Sequence, residues 1–117
     1  MPLTAYMPKD LERYSRHQES VLFSNSVVAG KYVYVQNCDG KVWVAPDGPH
    51  MHPRVLGSAR AATAAGELVL ERSGLVVDIN NLSGTFQCKP DSLLAAVGGL
   101  IMQGARIAPE AVDAYEI

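Results

Sequence analysis

The stretch that decides the fold runs Lys31-Tyr32-Val33-Tyr34-Val35-Gln36, then Asn37-Cys38-Asp39-Gly40, then Lys41-Val42-Trp43-Val44-Ala45. Two segments that alternate in polarity or side-chain size flank a turn-forming segment, a pattern typical of a β-hairpin. Glycine has no Cβ and aspartate tolerates left-handed backbone, so Asp39-Gly40 suits the turn. If the turn adds no extra residue, all four valines share one face of the hairpin. Trp43 then lies with Tyr32 and Tyr34 on the other face.

Four further segments have the composition of strands, and turn-forming residues separate several of them. They are Ser20 to Val28, Gly66 to Glu71, Leu75 to Asn80, and Thr85 to Cys88. Because several follow one another through short turns, we predict an antiparallel meander sheet of about five or six strands. No regular pattern is visible from Pro46 to Thr63, where prolines interrupt any ladder.

A helix is predicted near the C-terminus, over residues 91–103. Lys89-Pro90-Asp91-Ser92 has the composition of a helix start, and Gly104 suits its end. Apolar residues then recur at three- and four-residue spacing, at Leu93, Leu94, Val97, Leu100 and Ile101. This stripe favours a C-terminal helix packed on one face of the sheet. The fold class predicted from the sequence is therefore α+β.

Length and composition indicate one domain. The chain has 117 residues, of which 48% are hydrophobic and 19% charged. We expect a core over 19–107 and a loosely attached N-terminal segment over 1–18. Two cysteines, Cys38 and Cys88, are too few for a disulfide scaffold, and each is expected to be buried.

Charge and hydropathy bear on partners and location. The net charge is −2, and the basic residues are scattered, which argues against a nucleic-acid partner. The longest apolar run, around Leu93 to Met102, is too short to span a membrane. Met1 to Tyr6 lacks the basic and apolar regions of a signal peptide, so a cytoplasmic location is expected.

The histidine-containing loop is the first candidate for chemistry. His50 and His52 are two residues apart in Asp47-Gly48-Pro49-His50-Met51-His52-Pro53, and in extended chain they would point the same way. A zinc or iron site would need further ligands, for which Asp47, Glu67, Asp78 and Cys88 are candidates. Arg54 would oppose a cation there. The alternative is a structural role, in which one histidine bonds to backbone and the other is solvated. We predict neither a metal nor a cofactor.

Catalysis by hydroxyl groups is the second candidate. Ser83 and Thr85 lie beside Gly84, and His50 or His52 could act as a base. The segment lacks the Gly-x-Ser-x-Gly pattern of a nucleophile elbow, and no carboxylate is placed to orient a histidine. Ser83 is more typical of a turn residue, so the sequence favours a protein that is not an enzyme.

The order of the short motifs resembles a domain shared by plant IQ-motif calmodulin-binding proteins and bacterial proteins. The segments that carry the resemblance are His52 to Gly57, Ala64-Ala65-Gly66-Glu67-Leu68, and Asn80 to Phe86. The match covers about residues 31–107. Pro53-Arg54 stands where that domain has Ser-Ser, and Thr85-Phe86 where it has His-Tyr. The resemblance therefore implies the fold more than an activity.

From these patterns we predict a non-catalytic binding module of a bacterial protein, whose partner is a protein or a small molecule. The predicted ligand-binding residues are His50, His52, Arg54, Trp43, Ser83 and Thr85. A small enzyme or metal-binding protein that uses His50 and His52 is the alternative. A homodimer built on the surface of Tyr32, Tyr34 and Trp43 is a third hypothesis.

Overall fold

The structure is a computed structural model that describes residues 4–7, 15–48, 51–58, 60–83 and 86–116. These residues form seven strands, two α-helices and one short 3-10 helix. The strands are β1 (Val21–Leu22), β2 (Gly30–Gln36), β3 (Val42–Pro46), β4 (Ala64–Leu70), β5 (Leu75–Asn80), β6 (Arg106–Ile107) and β7 (Val112–Asp113). The helices are α1 (His52–Leu56) and α2 (Ser92–Met102), and the 3-10 helix is Pro109–Ala111.

The strands form one mixed sheet in the order β1-β3-β2-β4-β5-β6, with β7 also paired to β5. The α+β class is confirmed, and the sheet is mostly antiparallel. The prediction of an entirely antiparallel sheet is wrong, because β6 and β7 run parallel to β5. The chain between β5 and β6 contains α2, and a crossover of this kind returns the chain in the same direction.

The β2–β3 hairpin is confirmed, but its register differs from the prediction by one residue. Gly40 has a φ of 82° and its amide donates to the Asn37 carbonyl, while the Asn37 amide donates to the Lys41 carbonyl. Gly40 and Lys41 thus oppose Asn37 alone, as in a hairpin with a glycine bulge. The added residue exchanges the two faces of β3 relative to β2.

The shifted register places Trp43 opposite Val35, and Val44 opposite Tyr34. Tyr34 is fully buried, and its hydroxyl donates to the Asn80 carbonyl over 2.7 Å. Burial raises the pKa of this hydroxyl far above its usual range. The prediction that Tyr32, Tyr34 and Trp43 share one exposed face of the hairpin is therefore wrong.

Two clusters of buried side chains form the core. The first contains residues of β2 to β5 and of α2, with one residue after β1 and one after α2: Phe23, Tyr34, Val42, Val44, Ala64, Leu68, Leu70, Val76, Ile79, Leu93, Ala96, Leu100 and Ala105. The second contains residues of β2 to β4, of α1, of the segments next to α1 and β4, and of the chain after β5: Val33, Val35, Ala45, Met51, Val55, Ala62, Ala65, Phe86 and Cys88. Trp43 and Leu56 pack against this second cluster.

Several local predictions change. The span from Pro46 to Thr63, expected to be irregular, contains α1, which begins with Pro53 in its first turn, where a missing N–H costs nothing. Within Ser20 to Val28, only Val21–Leu22 pairs as a strand. Phe86 to Cys88 is not a strand, and Thr85 lies outside the described residues. Cys88 is buried as expected, whereas Cys38 is exposed on the turn.

The buried side-chain amide of Asn81 binds the C-terminal segment at Tyr115. Asn81 is fully buried, and its Nδ2 donates to the carbonyls of Cys88 and Tyr115 at 3.1 and 2.9 Å. Its Oδ1 accepts from the Tyr115 amide at 2.7 Å. One side chain therefore satisfies the backbone of two distant segments, which a buried amide must do to offset its desolvation.

Membrane crossing by a helix takes roughly 20 apolar residues. The two helices of the described residues have 5 and 11 residues, and neither is long and apolar enough to cross a membrane.

Gly66 of β4 permits a close approach that the fold requires. A Cβ added there would overlap the carbonyl oxygen of Asn80 and lie 3.0 Å from the Cα of Asn81.

We expect Gly66→Ala to lower the free energy of unfolding by about 2 to 3 kcal/mol, because the backbone around Asn80 must shift. Urea unfolding of dilute protein measures this change. The matched control is Gly98→Ala, where an added Cβ meets nothing within 4 Å. That variant should gain up to about 1 kcal/mol of stability, and equal effects of the two changes would contradict the account.

Candidate functional site

The segment before β1 lies along α1. The His17 amide donates to the Arg54 carbonyl over 2.8 Å, and Arg54 Nε donates to the Ser15 carbonyl over 3.4 Å. The Ser20 hydroxyl is buried and donates to the Val55 carbonyl over 2.6 Å. Arg54, predicted to bind a ligand, therefore contacts the segment 15–20 through its backbone and through one exposed side-chain bond.

Gly57 at the end of α1 lets this segment come close. Its φ of 75° favours glycine, and an added Cβ would lie 2.6 Å from the Arg16 amide nitrogen. The approach brings the Arg16 guanidinium over the ring of Trp43, with the carbon Cζ 5.4 Å from the ring centroid. This distance is within the range of a cation–π interaction, which contributes roughly 0.5 to 1 kcal/mol at an exposed site.

Arg16 and Trp43 line a depression of about 280 Å³. Four parts of the chain meet there: the segment before β1, the β2–β3 hairpin, the end of α1 and the segment that leads to β4. The lining residues are Arg16, Asn37, Cys38, Asp39, Trp43, Leu56, Arg60 and Ala61. The depression thus combines an apolar wall with two cationic side chains and one carboxylate.

The turn side of the depression is held by hydrogen bonds. The Thr63 hydroxyl is 2.9 Å from Gln36 Oε1 and 3.2 Å from the Asn37 carbonyl, and can donate to either. Asn37 Oδ1 accepts from the amides of Asp39 and Lys41, both at 3.0 Å. The Cys38 thiol lies 3.9 Å from the Ala61 carbonyl. These contacts fix the turn against the segment that precedes β4.

His52 bonds to backbone, which is one of the two interpretations that the sequence left open for the histidine pair. It begins α1, so it is not in an extended segment, and its Nε2 lies 2.8 Å from the Gly66 carbonyl. Burial lowers the pKa of His52, although the bond to Gly66 and the charges of Glu67 and Asp47 act in the opposite direction. A neutral ring that donates to Gly66 joins α1 to β4. His50 lies outside the described residues.

Ser83 is buried, and its hydroxyl oxygen accepts from the Phe86 amide over 3.2 Å. A hydroxyl that accepts from a nearby backbone amide is typical of a turn residue. Thr85 lies outside the described residues. Of the predicted ligand-binding residues, Trp43 lines the depression, whereas His52, Arg54 and Ser83 bond to backbone.

Metal binding needs several ligand side chains in one place. Within the ranges that the structure describes, no three histidine, cysteine, aspartate or glutamate side chains form a group that could hold a metal ion. Comparison with known protein families, with curated proteins and with solved structures finds no match to this chain. The resemblance inferred from short motifs therefore stays a prediction.

The sequence predicts a partner surface in the loop 46–60, which contains Leu56 and Arg60, but names neither as a binding residue, and Arg16 lies outside that predicted surface. Arg16 lies 27 positions before Trp43 in the chain, so no local spacing connects them. The usable signal in the sequence is Gly57 itself, because glycine tolerates positive φ and can permit close approach of another segment. The partner in that approach is fixed only by the tertiary fold.

The lowered pKa of His52 makes stability depend on pH. When a histidine pKa is lower in the folded than in the unfolded protein, the unfolded protein binds protons more readily below about pH 6.5. We expect the free energy of unfolding to lose a contribution as pH falls below that value. His52→Gln, which can still donate to Gly66, should remove this part of the slope. Chemical unfolding between about pH 5 and 8 measures both curves, and parallel curves would contradict the assignment.

Proposed function

We propose that the protein is a non-catalytic binding module that holds a small anionic group next to an apolar one in the Trp43 depression. The observation that carries the proposal is the Arg16 guanidinium on the face of a half-buried tryptophan. An aromatic ring beside a cation offers a ligand both apolar area and a positive charge.

The charge of the depression favours an anion. Arg16 and Arg60 contribute two positive charges to the lining, and Asp39 contributes one negative charge. Among the described residues, the ion pairs are those of Lys31 with Asp47 and Glu67, at 3.5 and 4.0 Å. The described carboxylates therefore do not neutralise either arginine of the depression at salt-bridge distance. Arginine is well suited to carboxylate and phosphate groups because its planar donors match their oxygens.

The size of the depression supports a small ligand. Sites for drug-sized molecules have volumes of about 300 to 1,000 Å³, and this depression, at about 280 Å³, is near the lower end. It can take one ring or one side chain with an acidic group. The carboxylate of a peptide and that of a free metabolite share this chemistry.

Backbone strain beside the depression also supports a site. Ser58, with a φ of 55°, is the one non-glycine residue of the described chain with positive φ. It follows Gly57, whose carbonyl accepts from the Arg60 amide over 3.3 Å. Such a conformation costs roughly 1 to 3 kcal/mol and occurs preferentially at functional sites. The cost is consistent with a loop selected for the position of Arg60.

The proposal includes the placement of α2 on the other face of the sheet. Its residues Leu93, Ala96 and Leu100 share the first cluster with Tyr34 and Val44. Trp43 belongs to the second cluster. The depression would then lie on the face opposite to α2, with α1 and the segment 15–20 at its border.

Fluorescence of Trp43 tests the proposal, because this residue is the single tryptophan of the chain. Benzoate combines a ring with a carboxylate, and benzamide is its neutral counterpart. We expect saturable change of the emission with benzoate and a weaker affinity for benzamide. N-acetylphenylalanine replaces benzoate in a parallel titration, and tighter binding of one or the other separates a peptide terminus from a free small acid.

Charge variants give the control. Arg16→Gln and Arg60→Gln should each weaken benzoate binding by about tenfold, the usual effect of losing one charged hydrogen bond. Arg72→Gln, on the exposed turn between β4 and β5, should leave it unchanged. Equal affinities for benzoate and benzamide, no saturable change, or an effect of Arg72→Gln as large as that of Arg16→Gln would each contradict the proposed function.

A further inference from the structure

Helix α2 has no charged residue. Its sequence is Ser-Leu-Leu-Ala-Ala-Val-Gly-Gly-Leu-Ile-Met, and its one polar side chain, Ser92, is buried. A helix with one face in the core normally presents charged and polar side chains to water on the opposite face. The chain has 22 charged residues, ten basic and twelve acidic, yet none of them occurs in these 11 positions.

The outer face of α2 carries three large exposed apolar side chains. Leu94, Ile101 and Met102 are 74%, 55% and 88% exposed. Together with the exposed Gly98 they follow the spacing i, i+4, i+7 and i+8, which places them on one stripe of the helix. Contiguous apolar stripes of this kind on a soluble domain mark interaction surfaces.

Two adjacent glycines of α2 have different explanations. A Cβ at Gly99 would lie 2.7 Å from Gln36 Nε2 and 2.9 Å from the Gly40 carbonyl oxygen, so internal packing requires this glycine. A Cβ at Gly98 would meet nothing within 4 Å. Glycine in a helix costs about 1 kcal/mol relative to alanine, and no contact within the described chain accounts for it at Gly98. It lies at the middle of the exposed stripe, where a second backbone could approach closely.

We infer that this face of α2 binds α2 of a second copy of the chain. The stripe is self-complementary about a two-fold axis at Gly98, because Leu94 precedes the glycine by one turn and Ile101 follows it by about one turn. Each Leu94 would then contact the Ile101 and Met102 of the second copy. The absence of charge argues for this occupant, since a charged partner would bury ions against a face that has no counter-charge.

The inferred dimer has a small interface, and its formation is reversible. Three large side chains per copy are fewer than stable complexes use, which bury about 800 Å² per partner. We therefore expect association that depends on concentration. Sedimentation equilibrium of the full chain, from about 10 to about 500 μM, should show a monomer that shifts to a dimer.

Three variants locate the interface. Leu94→Glu should abolish the dimer, because two carboxylates would be buried without partners. Val28→Glu is the matched control: Val28 is 73% exposed and lies outside α2, so its dimer should persist. Gly98→Ala should weaken the dimer at least fivefold while it raises the stability of the monomer, since it fills the crossing point but favours the helix.

A wild-type chain that stays monomeric at the highest concentration would overturn the inference. So would a Leu94→Glu variant that still dimerises, or loss of the dimer in Val28→Glu but not in Leu94→Glu. A Gly98→Ala variant that associates more tightly would rule out a close crossing at this residue. None of these outcomes depends on the ligand of the Trp43 depression, so the two proposals are tested separately.

Discussion

The register of the β2–β3 hairpin is the constraint on which the other features depend. Gly40 adopts a left-handed conformation, and with Lys41 it forms a bulge opposite Asn37. The bulge aligns Gln36 with Val42 and Val35 with Trp43. A hairpin without the extra residue would place every side chain of β3 on the other face, because side chains alternate along a strand. Trp43 would then enter the cluster that contains Tyr34, and the depression would lose its aromatic wall.

Gln36 connects the hairpin to other parts of the molecule by hydrogen bonds. It is 2% exposed, and its Nε2 donates to the carbonyls of Gly40 and Ala95 at 3.0 and 2.9 Å. Its Oε1 lies 2.9 Å from the Thr63 hydroxyl and can accept from it. One buried amide therefore joins the turn, α2 and the start of β4. These bonds favour one hairpin register, because a shift of one residue between β2 and β3 would leave the buried amide and its partners without hydrogen bonds.

Much of the fold follows from local patterns in the sequence. The hairpin, the two strands around Arg72 to Gly74 and the helix after Pro90 are located correctly, because alternation and helical spacing are local signals. The parallel pairs of β6 and β7 could not be predicted, since two-residue strands carry no periodicity. The hairpin register depended on whether Gly40 closed a simple turn or a bulge, and both are compatible with Asp39-Gly40. The candidate site was less predictable. Arg16 contacts Trp43 because Gly57 lets the segment of Arg16 approach α1. A contact between segments distant in the chain produces no periodic pattern in the sequence.

The fold and the candidate site depend most directly on the side of the sheet on which Trp43 lies. Nuclear Overhauser contacts from its indole protons measure this, because they report neighbours at short range in solution. With Trp43 on the side of the second cluster, we expect contacts to the methyl groups of Leu56 and Val35 and to the side chain of Arg16. Contacts from the indole to Leu93 or Leu100 of α2 instead would mean that the hairpin has the other register, and would contradict both the fold and the site described above.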